Sequence, residues 1–341
     1  MCSSDLRRGG ATGAGMGHLV VMDDNPAELA LSRHSLNLWR ELAPRLGADS
    51  AYSGCGTLWL AADAAEMAAA EEKYERLTAN GIACRLLTAR ELTGAEPALR
   101  SGLAGALEVT GDGIVYAPST AQWLLAQGGD RIQTETAHVT QLEAGGVVLS
   151  DGSRRHAPQV LLANGVHATT LCPELPIQPK KGHLLITDRY PGTVHHQLVE
   201  LGYVTSAHHS DGPSVAFNVQ PRPTGQLLIG SSRQFDNDDP EVEAAMIAAL
   251  LQRALGYLPG LAELNVLRSW TGLRAATPDG LPILGQHPWR ESLWLAVGHE
   301  GLGVTTAPAS AQLLVAEMTG TAPAFDPAPY AATRFESMLK P

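Results

Sequence analysis

The segment LWLAVGHEGLGVTTAPASAQLL, Leu293 to Leu314, constrains the fold most. Its apolar start reads as a strand, Gly298, Gly301 and Gly303 as a tight loop, and Thr305 to Thr319 as a helix closed by Gly320. A strand fed into a helix through glycines aims backbone N–H groups and the positive helix end at an anionic or electron-rich ligand. A plain strand–helix turn has the same spacing, so the segment alone leaves both readings open.

Upstream, Asn25-Pro26 with Glu28 reads as an N-cap, a first-turn proline and a capping carboxylate. Leu31, Leu38, Trp39 and Leu42 follow at helical spacing until Pro44. Asp63 with Glu66 opens a helix ending at Asn80-Gly81, Thr88 with Glu91 opens a shorter one, and Pro118 starts one ending near Gly128. Thr57 to Leu60, Ile132 to Leu142, Val147 to Leu149 and Val160 to Leu162 read as strands. GHLLITD, QLVELGYV, SVAFNVQ and GQLLIGSS then form a β block, before a helix expected from Asp239-Pro240 with Val242, Met246, Leu250 and Ala254 on one face. Helix–strand alternation at both ends of an antiparallel block predicts an α/β fold, one domain interrupted by an α+β domain.

At 341 residues the chain can hold two domains, and 44% apolar with 17% charged residues describes a globular protein. A net charge of −11 without a basic stripe argues against nucleic acid as a partner. The cysteines at 2, 55, 84 and 172 form no C-x-x-C, so no zinc site or disulfide framework is expected and a reduced, cytoplasmic setting fits. No apolar run has the length of a membrane helix. His195-His196 and His208-His209 lack a third ligand at helix or turn spacing, so no metal is expected. There is neither H-E-x-x-H nor G-x-S-x-G.

Taken together, WTGLRAATPDGLPILGQHP (Trp270 to Pro288), GHEGLG, ATGAGMGHL near the start, Val139-x-x-Leu142 and VLLANGVHA before LPIQPKKGHLL resemble the FAD-dependent D-amino-acid oxidase and dehydrogenase family over essentially the whole chain. The resemblance implies a Rossmann-like FAD-binding domain in residues 1–50, 118–182 and 277–341, and a substrate domain in 51–117 and 183–276. In the family, a segment like Gly9 to Gly17 follows a βαβ unit with a G-x-G-x-x-G turn. Gly13-Ala14-Gly15-Met16-Gly17 lacks that spacing, so the reading expects about 35–45 further residues before it, built on a ~30-residue unit. It also expects Met1 to Leu6, which match a translated sequencing adapter, to be foreign and native sequence to resume near Arg7.

By the same resemblance, Gly9, Gly10, Ala14, Gly15 and Met16 line the flavin and pyrophosphate, Val139 the adenine, and Ala163 to Gly165 the dinucleotide. His299, Glu300, Gly301, Leu302, Gly303, Val304 and Thr305 reach the isoalloxazine. For Met16 and Val139 plain core packing competes with that role. Arg274 matches the family's arginine for the substrate carboxylate, where a guanidinium gives two parallel hydrogen bonds; an ion pair with Asp279 competes. Asn218, Gln220 and Tyr203 lie on the block expected to cover the substrate, with solvent-facing positions favoured. With no Cys after Cys172, the FAD is expected to be non-covalent. The implied activity is oxidation of a D-amino or imino acid, with hydride passing from Cα to flavin N5 and no general base assigned. GMGHLVVMDD, GCGTLWLA and KKGHLLITDRYPG point within the family to flavin subunits of D-hydroxyproline-type dehydrogenases, which pass electrons to partner subunits. A glycine- or sarcosine-type oxidase releasing hydrogen peroxide, or an inactive fragment that only binds ligand, are the alternatives.

Overall fold

The computed structural model describes residues 10–202, 213–235 and 237–339. The first third runs α1 (Gly10–Ala14), β1 (His18–Leu19), α2 (Pro26–Leu42), β2 (Thr57–Ala61), α3 (Ala64–Ala79), β3 (Cys84–Thr88), α4 (Ala89–Ala95), β4 (Gly105–Val109), β5 (Gly113–Ile114) and α5 (Ala117–Gly128). The middle holds β6 (Val139–Glu143), β7 (Gly146–Leu149), β8 (Arg154–His156), β9 (Val160–Leu162), α6 (Ala168–Leu171), β10 (Gln178–Arg189), β11 (Gln197–Glu200), β12 (Ser214–Pro221) and β13 (Gln226–Phe235). The last part holds α7 (Ala244–Leu255), β14 (Val266–Ala276), β15 (Ile283–Gln286), β16 (Leu293–Val297) and α8 (Gly303–Thr319). The fold is mixed α/β, as expected.

Local chemistry explains the helix starts. The Asn25 side chain accepts from Glu28 N at 2.9 Å, Asp63 accepts from Glu66 N at 2.9 Å, and Thr88 with Glu91 closes a reciprocal capping box. α2 ends at Leu42, ahead of Pro44 as expected, and Pro44 lies in the 3-10 turn that follows. Two expectations are corrected. Residues 132–138 are exposed and form no strand, because no neighbour offers them a ladder. The helix expected at Asp239 starts at Ala244. Asp239 Oδ1 instead accepts from Glu241 N at 2.8 Å, a local turn that competes with helix.

An eight-stranded sheet in the order β14-β10-β13-β12-β11-β2-β4-β3 dominates the molecule. Its pairs are antiparallel except β11 with β2. One face carries Leu58, Leu60, Leu185, Leu198, Phe217, Val219, Leu227 and Ile229, a core closed by Ala254, Tyr257 and Leu258 from the end of α7 and just beyond it. The other face meets a cavity. A three-stranded sheet, β15-β16-β9, packs Ile283, Leu293, Leu295 and Val297 against Cys172, Leu175 and Leu339.

The helix after the glycine loop contains Pro308, which cannot donate to Val304 O. Trp39 Nε1 of α2 supplies that bond, lying 3.2 Å from Val304 O and 3.0 Å from Thr305 O. Ala309 N turns to Ser35 Oγ at 3.2 Å. The α2–α8 contact is thus built around the proline, and it fixes where α8 begins.

Candidate active site

The sheet's open face borders a cavity of about 740 Å³, within the few hundred to a thousand Å³ usual for small-molecule sites. Side chains alternate across a strand, so every second residue faces it: Gly272, Arg274 and Ala276 on β14, Lys180, Gly182 and Leu184 on β10, and Asn218, Val199 and Trp59 on β12, β11 and β2. On β13 the alternation inverts around Gly230. Leu227 and Ile229 point to the core, yet Ser231, Arg233 and Phe235 line the cavity. The register of β13 with both neighbours shifts by a residue there, which rotates the following side chains to the other face.

Arg274 lies opposite Lys180 in the ladder, and its guanidinium folds over the neighbouring Gly182. A Cβ on Gly182 would sit 2.8 Å from both terminal nitrogens, so only glycine leaves the arm room. Nη1 donates to Ser232 O at 3.0 Å. Asp279, the competing partner, is taken by Arg334, 2.7 Å away, so Arg274 is not committed to it.

A further wall, in contact with the sheet, is Ala11, Thr12, Ala14 to His18 and Glu300 to Val304. Leu302 caps α8 without a side-chain hydrogen bond, so the first N–H groups of α8 are left for whatever occupies the cavity. Glu300 holds φ +48, and its carboxylate lies 2.9 Å from Lys180 Nζ. Burial alone would raise its pKa, but Lys180, Arg274 and Arg233 outweigh burial and bring it to about 2. With Glu300 ionised, Lys180 and Arg274 leave this end of the cavity net positive among the described residues, which suits a carboxylate. Glu28, also on the cavity, is pushed by burial, then by Asp24, to about 7.

Of the residues expected at the cofactor, Ala14, Gly15, Met16, Glu300, Gly301, Leu302, Gly303 and Val304 line the cavity. Gly10 opens α1 just behind it, His299 is buried beneath the loop against Ser310, and Thr305 Oγ1 donates to His18 O at 2.8 Å. These three support the wall from behind. Val139 sits on the separate β6-β7-β8 sheet, and Ala163 and Gly165 follow β9; the cavity does not include them. Gly9, Tyr203, His208 and His209 lie outside the described residues. Sequence reasoning undervalued Asn218 and Gln220 as solvent-facing. Gln220 is fully buried and Asn218 faces the cavity, and both contact the half-buried His18, which lines the cavity too. Asn-x-Gln at one-face spacing was the signal available. His195 and His196 lie in a loop, and their backbone N–H groups, at 2.8 and 2.7 Å, hold the buried Glu96 carboxylate.

Cys172, Glu174 and His287 also converge, with ligand atoms within 4.8 Å of one another. Trp289 N donates to His287 Nδ1 at 3.2 Å, so the ring hydrogen is on Nε2, facing Glu174 at 3.6 Å. Arg290 bonds the same carboxylate at 2.7 Å, and burial pushes the Cys172 thiol up to about 12. That polarity belongs to a hydrogen-bonded cluster around one carboxylate; a cation would require the other tautomer and a thiolate.

The profile of the DAO family, described as FAD dependent oxidoreductase, matches residues 3–317. The chain belongs to this family. It is therefore an FAD-dependent oxidoreductase. Among curated relatives of this DAO protein, glycine oxidase of Pseudomonas putida is 30% identical over 90% of the chain and 83% of that protein. D-amino acid dehydrogenase 2 of Pseudomonas aeruginosa is 30% identical over 71% of the chain and 58% of that protein. The crystal structure of glycine oxidase from Geobacillus kaustophilus superposes with a TM-score of 0.82 at 26% identity, covering 94% of the chain and 89% of that structure. The cavity fits the family's cofactor. The uncapped start of α8 offers backbone donors to an electron-rich group, and Ala14, Gly15, Gly17, Gly301 and Gly303 let a ligand approach the backbone there. Among the described residues no helix is long and apolar enough to cross a membrane.

Proposed function

We propose that this chain oxidises an amino or imino acid at Cα, with D-amino acids of the hydroxyproline kind as the substrate class. Arg274 carries the proposal. Its guanidinium rests on Gly182 at the net-positive end of the cavity, beside the wall formed by Ala14 to Met16 and Gly301 to Val304. A substrate carboxylate gripped by Arg274, with Lys180 and Arg233 nearby, presents its Cα to that wall. Ala14 to Met16 and Gly301 to Val304 would hold a non-covalent FAD, which when bound would supply the acceptor for the hydride of Cα. No residue is assigned as a general base, because a neutral amine needs only orientation and a dry site.

Electrons then pass to partner subunits. The glycine oxidase relatives favour a second reading, in which oxygen is the acceptor and hydrogen peroxide the product. The test is anaerobic addition of D-proline, D-4-hydroxyproline and glycine to the FAD-loaded chain, followed by admission of air. Loss of the oxidised-flavin absorbance with either D-imino acid and no stoichiometric peroxide supports the dehydrogenase. Stoichiometric peroxide supports the oxidase, and an unchanged spectrum with all three amino acids refutes both.

A further inference from the structure

Beside Arg274, the cavity wall contains a run of side-chain amides and one imidazole whose polarity is assignable from one end to the other. Gly113 O can only accept, so Gln197 Nε2 donates to it at 2.8 Å, and to Thr57 Oγ1 at 3.2 Å. Gln197 Oε1 is then the acceptor 2.6 Å from His18 Nδ1, which places the ring hydrogen on Nδ1. The Gln220 amide lies 2.7 Å from His18 Nδ1 and 3.2 Å from Gln197 Oε1, so with the hydrogen on Nδ1 it is the Gln220 carbonyl oxygen that faces the ring and shares that hydrogen with Gln197 Oε1. His18 Nε2 is left as a lone pair and accepts from Asn218 Nδ2 at 3.1 Å. Burial chiefly, then the charges of Arg222 and Arg274, keep His18 neutral, with its pKa near 4 although the Gln197 bond opposes the shift, so this order persists at neutral pH.

Asn218 ends the run at the cavity. Its amide nitrogen has a second hydrogen, and its oxygen has no partner among the described residues. In the ladder Asn218 faces Gly230, while Arg274 Nη1 donates to Ser232 O two residues along the same strand. One inter-strand step of ~4.8 Å and two residues of ~3.4 Å put the backbone of Asn218 about 8 Å from that of Ser232, on which Arg274 rests. A carboxylate, its Cα and a short side chain span that distance.

We propose that Asn218 is a specificity-determining residue whose carboxamide hydrogen-bonds a hydroxyl on the substrate side chain while Arg274 holds the carboxylate, and that His18 is the positioning residue that orients it. The proposal rests on the amino-acid reading above. A hydroxyl both donates and accepts, so it can use whichever side of the carboxamide is offered. Sites that bond a substrate hydroxyl reject the analogue lacking it far more strongly than apolar pockets do.

The experiment compares kcat/KM for D-4-hydroxyproline and D-proline in the FAD-loaded full chain, Asn218→Leu and His18→Phe, with flavin absorbance and thermal melting recorded for each. The hydroxyproline-to-proline ratio is expected to fall about tenfold or more in both variants, the worth of one hydrogen bond to an uncharged group. A ratio unchanged in Asn218→Leu overturns the proposal and leaves the amino-acid reading intact. Failure of both substrates to reduce the wild-type flavin overturns that reading and the proposal together. Independently of turnover, ¹⁵N spectra of histidine-labelled protein should show one imidazole hydrogenated at Nδ1, absent in His18→Phe and not titrating between about pH 5 and 8. A His18 hydrogenated at Nε2 overturns its positioning role.

Discussion

Arg274 matters less for its charge than for the room around it. Charge-assisted hydrogen bonds are each worth about 1.5–3 kcal/mol, so Arg274→Ala should lower kcat/KM about a hundredfold or more while flavin content stays at the wild-type level. Steady-state kinetics with spectral quantification of FAD decide this; an unaltered kcat/KM would remove Arg274 from the site. Gly182→Ala is the sharper probe because it touches no ligand. The new methyl would lie 2.8 Å from both terminal nitrogens of Arg274, so the guanidinium must swing aside. Misplacement by an ångström is costly in an oriented site, and KM should rise about tenfold or more with little change in melting temperature. Wild-type kinetics in that variant would mean that the arm already points elsewhere. The Arg274 motif was legible in the chain; that Gly182 makes its seat was not, because ladder register joins residues about ninety positions apart.

At the level of elements, α8 carries the cavity's donor wall and depends on α2 for its start. Trp39→Phe removes the indole N–H that serves Val304 O and Thr305 O, costing about 1–2 kcal/mol and a few degrees of melting temperature. In that background, Pro308→Ala should recover part of the loss, since alanine's N–H can return to Val304 O. Melting curves of the two single variants and the double test the coupling; purely additive changes would show that proline and tryptophan act separately. Most helix ends were readable from caps, because a cap is a contact within a few residues of sequence. The late start of α7 was not readable. Its Glu243 cap position is held by long-range partners, with Lys181 Nζ at 3.0 Å, Gln234 at 2.9 Å and His183 Nε2 accepting from Glu243 N at 3.1 Å.

Across the whole molecule, four buried groups set opposing pH dependences. Burial lowers His18 and His299 to about 4, so between pH 4 and 6.5 the unfolded chain binds protons that the native state refuses. Their stabilisation is full above about pH 6.5 and is lost on acidification. Burial raises Glu28 and Asp112 to about 7, so the native state keeps protons that the unfolded chain releases above pH 4. That contribution is full below about pH 4 and is lost as pH climbs towards 7. The two pairs oppose each other over the same window, and burial lowers His183 and His287 as well, so from pH 4.5 to 6.5 the acids offset only part of the histidines' loss of stability on acidification. Asp112→Asn removes one opposing group, so its urea midpoint should drop more steeply than wild type on acidification; parallel slopes would refute this balance. By itself the sequence determined the α/β class, the family, the helix caps and the small-residue segments that wall the cavity, because each depends on neighbours a few positions apart or on a contiguous motif. Only the tertiary structure decided that Asn218 faces His18, that Arg233 turns into the cavity past the register shift at Gly230, and that Val139, Ala163 and Gly165 lie outside it. A one-residue register change reverses which face a side chain takes, and that change is settled by the strands on either side.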